Sequence, residues 1–400
     1  MDGAERVDGA ERVEGQAAPV TLLLASLAPL VRALRAQGYT VVGPTERDAA
    51  VVLAELDRAD RLPYGWSVQV GPARYRLDRD GTGAFATVAD PQPWKRYLHP
   101  PRAQVFSARR GPDGEITVSE PDPGPPPRYA LLGVRPCDLR AIAVQDAVLG
   151  GVDTAYARRR AGTFIVAVNC TEPGATCFCV SAGGGPRAGA GADLVLTELA
   201  GPDTVEYTVQ AGTPAGVELL AGLPGAPVPA GTAQRAAAAV DAAAGRMGRA
   251  LPPGDLRALL AGRPQAARWD DVAGRCLACG NCTMVCPTCF CTTVEDSTDL
   301  TGDVAQRWLR WDSCFDLDFS HLHGVGPVRH SVRGRYRQWL THKLSTWHDQ
   351  FGGSGCVGCG RCIVWCPAGI DLTVEVAAIA AEEERGTVAA GTGGGEGGTA

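Results

Sequence analysis

Two stretches of the chain carry the same arrangement of cysteines. Cys276, Cys279, Cys282 and Cys286 run into Pro287, and Cys356, Cys359, Cys362 and Cys366 run into Pro367. Both read C-x2-C-x2-C-x3-C-P, the spacing in which three thiolates take three corners of one [4Fe–4S] cube and the fourth reaches the other cube. Three irons must be met from one tight loop, which keeps the intervals short. Gly280 and Gly360 let the backbone wrap closely, and the prolines turn the chain away because they lack the N–H that would continue a helix or a ladder. This logic assigns Cys276, Cys279, Cys282 and Cys366 to one cluster and Cys356, Cys359, Cys362 and Cys286 to a second. Arg361 stands in the second run where Asn281 stands in the first. A nearby positive charge favours the more reduced cluster, so the second is expected to have the higher potential.

Zinc and disulfides are the alternatives. A four-thiolate zinc site uses two C-x2-C pairs and would leave two cysteines of each run idle. Disulfides need an oxidising compartment, and Met1-Asp2-Gly3-Ala4 begins no recognisable secretory signal. Fifteen cysteines in a cytoplasmic protein, the expected location, point to metal. The net charge of −6 over 400 residues, without a basic block, gives no field for nucleic acid. No apolar run reaches the ~18 residues needed to span a bilayer. No Ser-His-Asp set, flavin fingerprint or spare nickel-binding cysteine pair is visible, so no catalytic site of its own is expected.

Four more cysteines become interesting once the elements around them are placed. Tyr129–Val134 reads as a buried strand, 138–145 as a helix with Asp138 as N-cap, and 163–168 as a second strand. Strand, helix, strand implies a parallel pair, whose strands end at one edge of the sheet, where open α/β folds hold ligands. Cys137 follows the first strand and Cys170 the second, with Cys177 and Cys179 close behind. Four thiols from two loops suffice for a third [4Fe–4S] cluster; small buried side chains are the plainer reading. The glycines from 183 to 191 precede a strand at 193–199 instead of following one, so no dinucleotide fingerprint is present.

The chain then divides into a disordered lead at 1–19, holding a tandem Asp-Gly-Ala-Glu-Arg-Val, an α/β domain at 20–252 with a short parallel sheet, a mainly helical ferredoxin-like domain at 253–385 with two clusters, and a disordered glycine-rich tail at 386–400. A helix broken by Pro29 is expected from Val20 to Gln37, a surface excursion at 202–231 and an alanine-rich helix at 234–251. Trp94-Lys95-Arg96-Tyr97 reads as core and solvated face. Between the two cysteine runs, Tyr336, Trp339, Lys343 and Trp347 stand at helical spacing, fit to shield clusters. Cys289, Cys291 and Cys314, with His321, His323 and His330, could form a further metal site or be packing thiols.

Gly133-Val134-Arg135-Pro136-Cys137-Asp138-Leu139-Arg140, Cys177-Phe178-Cys179, Cys286-Pro287-Thr288-Cys289-Phe290-Cys291 and Trp311-Asp312-Ser313-Cys314 resemble the sulfhydrogenase beta-subunit family. That family includes beta subunits of cytoplasmic nickel–iron hydrogenases and is similar to the electron-passing subunit of anaerobic sulfite reductase. The resemblance implies a hetero-oligomer in which this chain relays electrons between a subunit that binds FAD and NAD(P)H and the large and small subunits of a NiFe-hydrogenase. Membership of an anaerobic sulfite reductase, with electrons passed to its sirohaem subunit, is the other reading. The stretch from Gln338 to Phe351 looks more like the hydrogenase-associated members.

Overall fold

The computed structural model describes residues 20–121, 124–201 and 204–392. The expected disordered lead and the last residues of the tail lie outside these. The first half is organised by apolar, β-branched runs that bury both of their faces. Tyr129–Val134 and Phe164–Val168 pair in parallel, with Leu131 opposite Ile165 and Leu132 opposite Val166. Side chains on one face (Leu132, Val166, Val168) enter one core cluster. Those on the other (Leu131, Val134, Ile165) enter a second beneath the crossover helix. Such two-faced burial is what a parallel strand covered on both sides requires.

The sheet is larger than the short parallel one expected. Four parallel strands, Thr40–Arg47, Tyr129–Val134, Phe164–Val168 and Leu194–Ala200, form its centre. Antiparallel strands close it on both sides, giving seven in all: Ala50–Glu55 at one edge, Val205–Ala211 and then Thr21–Leu24 at the other. Thr21–Leu24 takes the place of the first turns of the helix expected from Val20. The helix itself runs Ala28–Ala36 with Pro29 in its first turn, where a missing N–H costs nothing, so the proline opens the helix and does not kink it. Val205–Ala211 and the helix Pro214–Ala221 replace the expected surface excursion. Tyr207 and Val209 alternate with polar residues and are 1% exposed, a period-two signal masked by the glycines and prolines around it. The alanine-rich helix lies at Ala230–Ala244.

Gly133, at φ +101°, interrupts the parallel register just before the helix whose first turn carries Cys137. The crossover helix then begins at Pro136, with Arg135 as N-cap and no side-chain cap. Asp138 is therefore in the first turn and is not the cap. Its carboxylate is 1% exposed and turns to Arg361 in the other half of the molecule.

The second half is helical only in part. Thr292–Thr298 and Val304–Trp311 form a hairpin, hidden from a pattern reading because charged and polar residues break up its apolar ones without a period of two; Asp296 and Arg307, for example, pair across it at 2.7 Å. Val304–Trp311 also pairs with Arg102–Arg110 of the first half, so no clean boundary falls at 252. Helices Arg268–Arg275, Val332–Thr341 and Leu372–Thr392 pack Trp269, Tyr336, Trp339 and Val376 into a third core cluster, which Phe178 and Leu251 of the first half complete. The last of these helices continues past Gly386 to Thr392, where a disordered tail was expected; the Thr-Val-Ala-Ala stretch after the glycine supports another turn.

The halves meet backbone to backbone at Gly358, which has φ +69°, and a Cβ there would lie 2.5 Å from Cys179 Cα. Gly358→Ala is expected to cost at least about 2 kcal/mol, from strained backbone and forced separation of the two loops. Comparing anaerobic unfolding midpoints checks this, with Gly254→Ala, at φ +103° but with nothing within 4 Å, separating the cost of backbone strain from that of the contact.

Candidate metal centre

The two cysteine runs fold alike. Ala278 and Gly280 in the first, and Gly358 and Gly360 in the second, have positive φ, which curls each loop so that its sulfurs face inward. A single turn of helix follows each glycine, Asn281–Met284 and Arg361–Val364. The loops then exchange their last cysteines. Cys276, Cys279, Cys282 and Cys366 line one cavity with Phe315, Tyr336 and Trp339. Cys286 lies instead among Cys356, Cys359 and Cys362, whose thiols it disfavours as anions. The two groups of four adjoin: Cys362 also lines the first cavity, and Cys282 feels Cys286.

Burial, with the repulsion of neighbouring sulfurs behind it, pushes the Cys362 and Cys282 thiols up and holds Cys356 at about 12. Thiols crowded in this way lose their protons to a metal and not to water. Backbone N–H donors point at the sulfurs: Ala278 N–H to Cys276 Sγ at 3.4 Å and Ile370 N–H to Cys366 Sγ at 3.4 Å. Inward sulfurs in groups of four, backed by amide donors and aromatic walls, fit [4Fe–4S] clusters. Among the described residues no three His, Cys, Asp or Glu side chains are arranged to hold a single metal ion.

Cys137, Cys170, Cys177 and Cys179 also meet in one cavity. The parallel strands deliver the first two to the same edge of the sheet. The Asn169 side chain then pins the loop after Cys170, donating to Thr197 Oγ1 at 2.9 Å and accepting from Ala188 N–H at 2.7 Å. Burial raises the Cys177 thiol to about 12 and the Cys179 thiol to about 11. Cys359 and Gly358 form the opposite wall, and Phe178 N–H donates to Gly358 O at 2.9 Å. The second and third groups of sulfurs are thus direct neighbours.

Arg361 lies between them, 6% exposed, with Nη1 and Nη2 at 2.8 and 3.0 Å from the two oxygens of Asp138. The charge that sets this run apart in the sequence is therefore matched by a buried carboxylate.

Cys289, Cys291 and Cys314 occupy a pocket of different character. Cys289 donates to Cys286, which holds Cys286 well below the ordinary thiol range and Cys289 above it. Cys314 donates to Cys291, which sits at about 7. His321, His323 and His330 are exposed and take no part. Two buried lysines stand here instead. Lys343 Nζ is 3.3 Å from Cys286 Sγ and 3.0 Å from Thr288 Oγ1. Lys95 Nζ donates to Cys289 O at 2.9 Å and lies 3.9 Å from the Trp311 ring centre. In the sequence Lys95 reads as solvated face, and Lys343 only as one member of a helical stripe; a lysine in register with tryptophans on that stripe is the one signal available.

A 4Fe–4S dicluster domain profile matches residues 275–370. The chain is 32% identical to sulfhydrogenase 2 subunit beta of Pyrococcus furiosus over 285 residues, 70% of this chain and 80% of that one. This chain belongs to the sulfhydrogenase beta-subunit family. No solved structure matches. The dicluster profile begins at residue 275, so the third group of sulfurs, at 137–179, precedes it.

Removing one partner of the buried pair leaves an uncompensated charge, and Arg361→Met is expected to destabilise the protein by about 3–5 kcal/mol, against a much smaller loss for the double variant Asp138→Leu/Arg361→Met. A double-mutant cycle on anaerobic unfolding midpoints measures the difference.

Proposed function

We propose that this chain is an iron–sulfur electron-transfer subunit of a cytoplasmic hydrogenase complex, carrying electrons between a flavin subunit that uses NAD(P)H and the nickel–iron subunits. The observation that carries this reading is the serial arrangement of three groups of four sulfurs. Cys276, Cys279, Cys282 and Cys366 adjoin the group of Cys356, Cys359, Cys362 and Cys286 through Cys362, and that group adjoins Cys137, Cys170, Cys177 and Cys179 through Cys359. [4Fe–4S] clusters, when bound, supply one-electron carriers.

The protein's own contribution is to hold, insulate and connect. Phe315, Tyr336 and Trp339 keep water from the first group. Val357 and Ile363, at 3% and 0% exposure, do so for the second. The first group comes to the surface at one point, where Cys279 is exposed and Leu277 is 68% exposed. An apolar residue beside an exposed ligand suits the approach of a partner protein, and the name of the Pyrococcus furiosus relative is that of one subunit among others. No described helix is long and apolar enough to cross a membrane.

Anaerobically reconstituted protein is expected to hold about 12 iron atoms per chain, four for each cluster. Cys177→Ser should remove about four of them, Cys286→Ala the cluster of the second run and Cys366→Ala that of the first. About 8 iron atoms, unchanged by Cys177→Ser, would make the third group packing thiols. Clusters that stay oxidised in dithionite would end the electron-transfer reading, and co-purification with a sirohaem protein in place of a nickel–iron enzyme would change the partner.

A further inference from the structure

Two ammonium groups share the interior with the ligand sulfur Cys286. Lys343 and Lys95 are 6% and 4% exposed, and what faces each ammonium is sulfur, hydroxyl or carbonyl: Cys286 Sγ and Thr288 Oγ1 for Lys343, and the Cys289 carbonyl for Lys95. An isolated ammonium in such a place is costly. Ligation as a thiolate would make Cys286 the counter-charge to Lys343, 3.3 Å away.

The backbone around Lys343 is built for this. Residues His342–Thr346 form a π-helical turn between two α-helices, a rare widening that is frequent at functional sites. It lets the Lys343 carbonyl accept from Gly355 N–H at 2.8 Å and from Ser354 Oγ at 3.3 Å. Gly355 immediately precedes Cys356. Its own carbonyl accepts from Thr288 Oγ1 at 2.8 Å, and that oxygen accepts from Lys343 Nζ at 3.0 Å. Lys343 is thus tied through its carbonyl to the chain entering the second run, and through its side chain to the cysteine donated by the first.

Cys286 Sγ receives the Lys343 ammonium, a hydrogen bond from Cys289 and one from the Thr288 backbone. The sulfurs of the first group receive backbone amides at 3.4 Å. Arg361, the other cation beside the second group, is matched by Asp138. The uncompensated positive charge nearest to the second group therefore belongs to Lys343.

The geometry points to Lys343 as the residue that raises the reduction potential of the cluster held by Cys286, Cys356, Cys359 and Cys362 above that of the cluster held by Cys276, Cys279, Cys282 and Cys366. Reduction adds one negative charge to the cluster. A fixed ammonium at a ligand sulfur stabilises that charge, and N–H···S bonds act in the same direction. Lys95 adds to the field from farther away, bonded to the Cys289 carbonyl and not to a ligand. This inference rests on the cluster loading proposed above.

The test is an anaerobic, EPR-monitored redox titration of the holoprotein, with the second cluster's signal assigned by its loss in Cys286→Ala. In Lys343→Met, at a given applied potential, the reduced-to-oxidised ratio of that cluster should fall at least tenfold, a midpoint about 59 mV more negative. Lys343→Arg, which keeps the charge, should restore most of the shift, and the first cluster should move less. An unmoved second midpoint in a Lys343→Met protein that keeps its iron overturns the inference, as does an equal shift of every cluster. If Lys343→Met loses the second cluster, Lys95→Met decides: a smaller fall of the same sign supports the inference and an unchanged midpoint overturns it. Absence of the second signal from the unaltered protein would overturn the cluster reading itself, a different result from an unmoved midpoint.

Discussion

Sulfurs gathered in a dry interior cannot all be anions unless positive charge is put among them. That constraint governs this molecule. Burial and mutual repulsion keep protons on most of the thiols of all three groups, so each group favours an occupant that brings positive charge of its own. Where the chain supplies cations as well, it does so sparingly. Arg361 comes with its counter-ion, Asp138, while Lys343 meets a sulfur directly. The walls around the groups are aromatic and aliphatic, which strengthens every such charge effect by excluding water.

The same constraint explains why the two halves are so tightly joined. The third group grows from the α/β sheet and the other two from the helical region, yet the second and third share a wall. Bringing them together requires backbone against backbone at Gly358 and Gly360, where any side chain would collide with residues 176–179. The buried Asp138–Arg361 pair and the bond from Arg249 Nε to Asp371 at 2.7 Å fasten the seam. Fixed relative placement of the groups, and not their individual affinities, is what these contacts secure.

The cysteines of the twin runs are legible in the sequence because their chemistry dictates their spacing. The convergence of Cys137 and Cys170 is legible for a different reason: parallel pairing puts both strand ends at one edge. What the sequence hides depends on tertiary context. The 292–311 hairpin mixes charged, polar and apolar residues without alternation on strands that remain half exposed, so local pattern says little. Tyr207 and Val209 sit in a segment whose composition suggests a loop. Asp138 resembles a cap because its true partner lies 223 positions away. Lys95 and Lys343 are lysines in the interior, where sequence statistics place almost none, and only the arrangement of sulfurs around them accounts for their burial.

Strand Val304–Trp311 joins Arg102–Arg110 edge to edge, across some two hundred intervening positions that include the third thiol group and the first cysteine run. The seven-stranded sheet is built wholly from residues 21–211, but Arg102–Arg110 and Ile116–Ser119 gain the other two strands of their own sheet only once Val304–Trp311 has been made. A polypeptide cut at 252 would keep the large sheet and leave the Arg102–Arg110 edge bare, open to pairing with another chain.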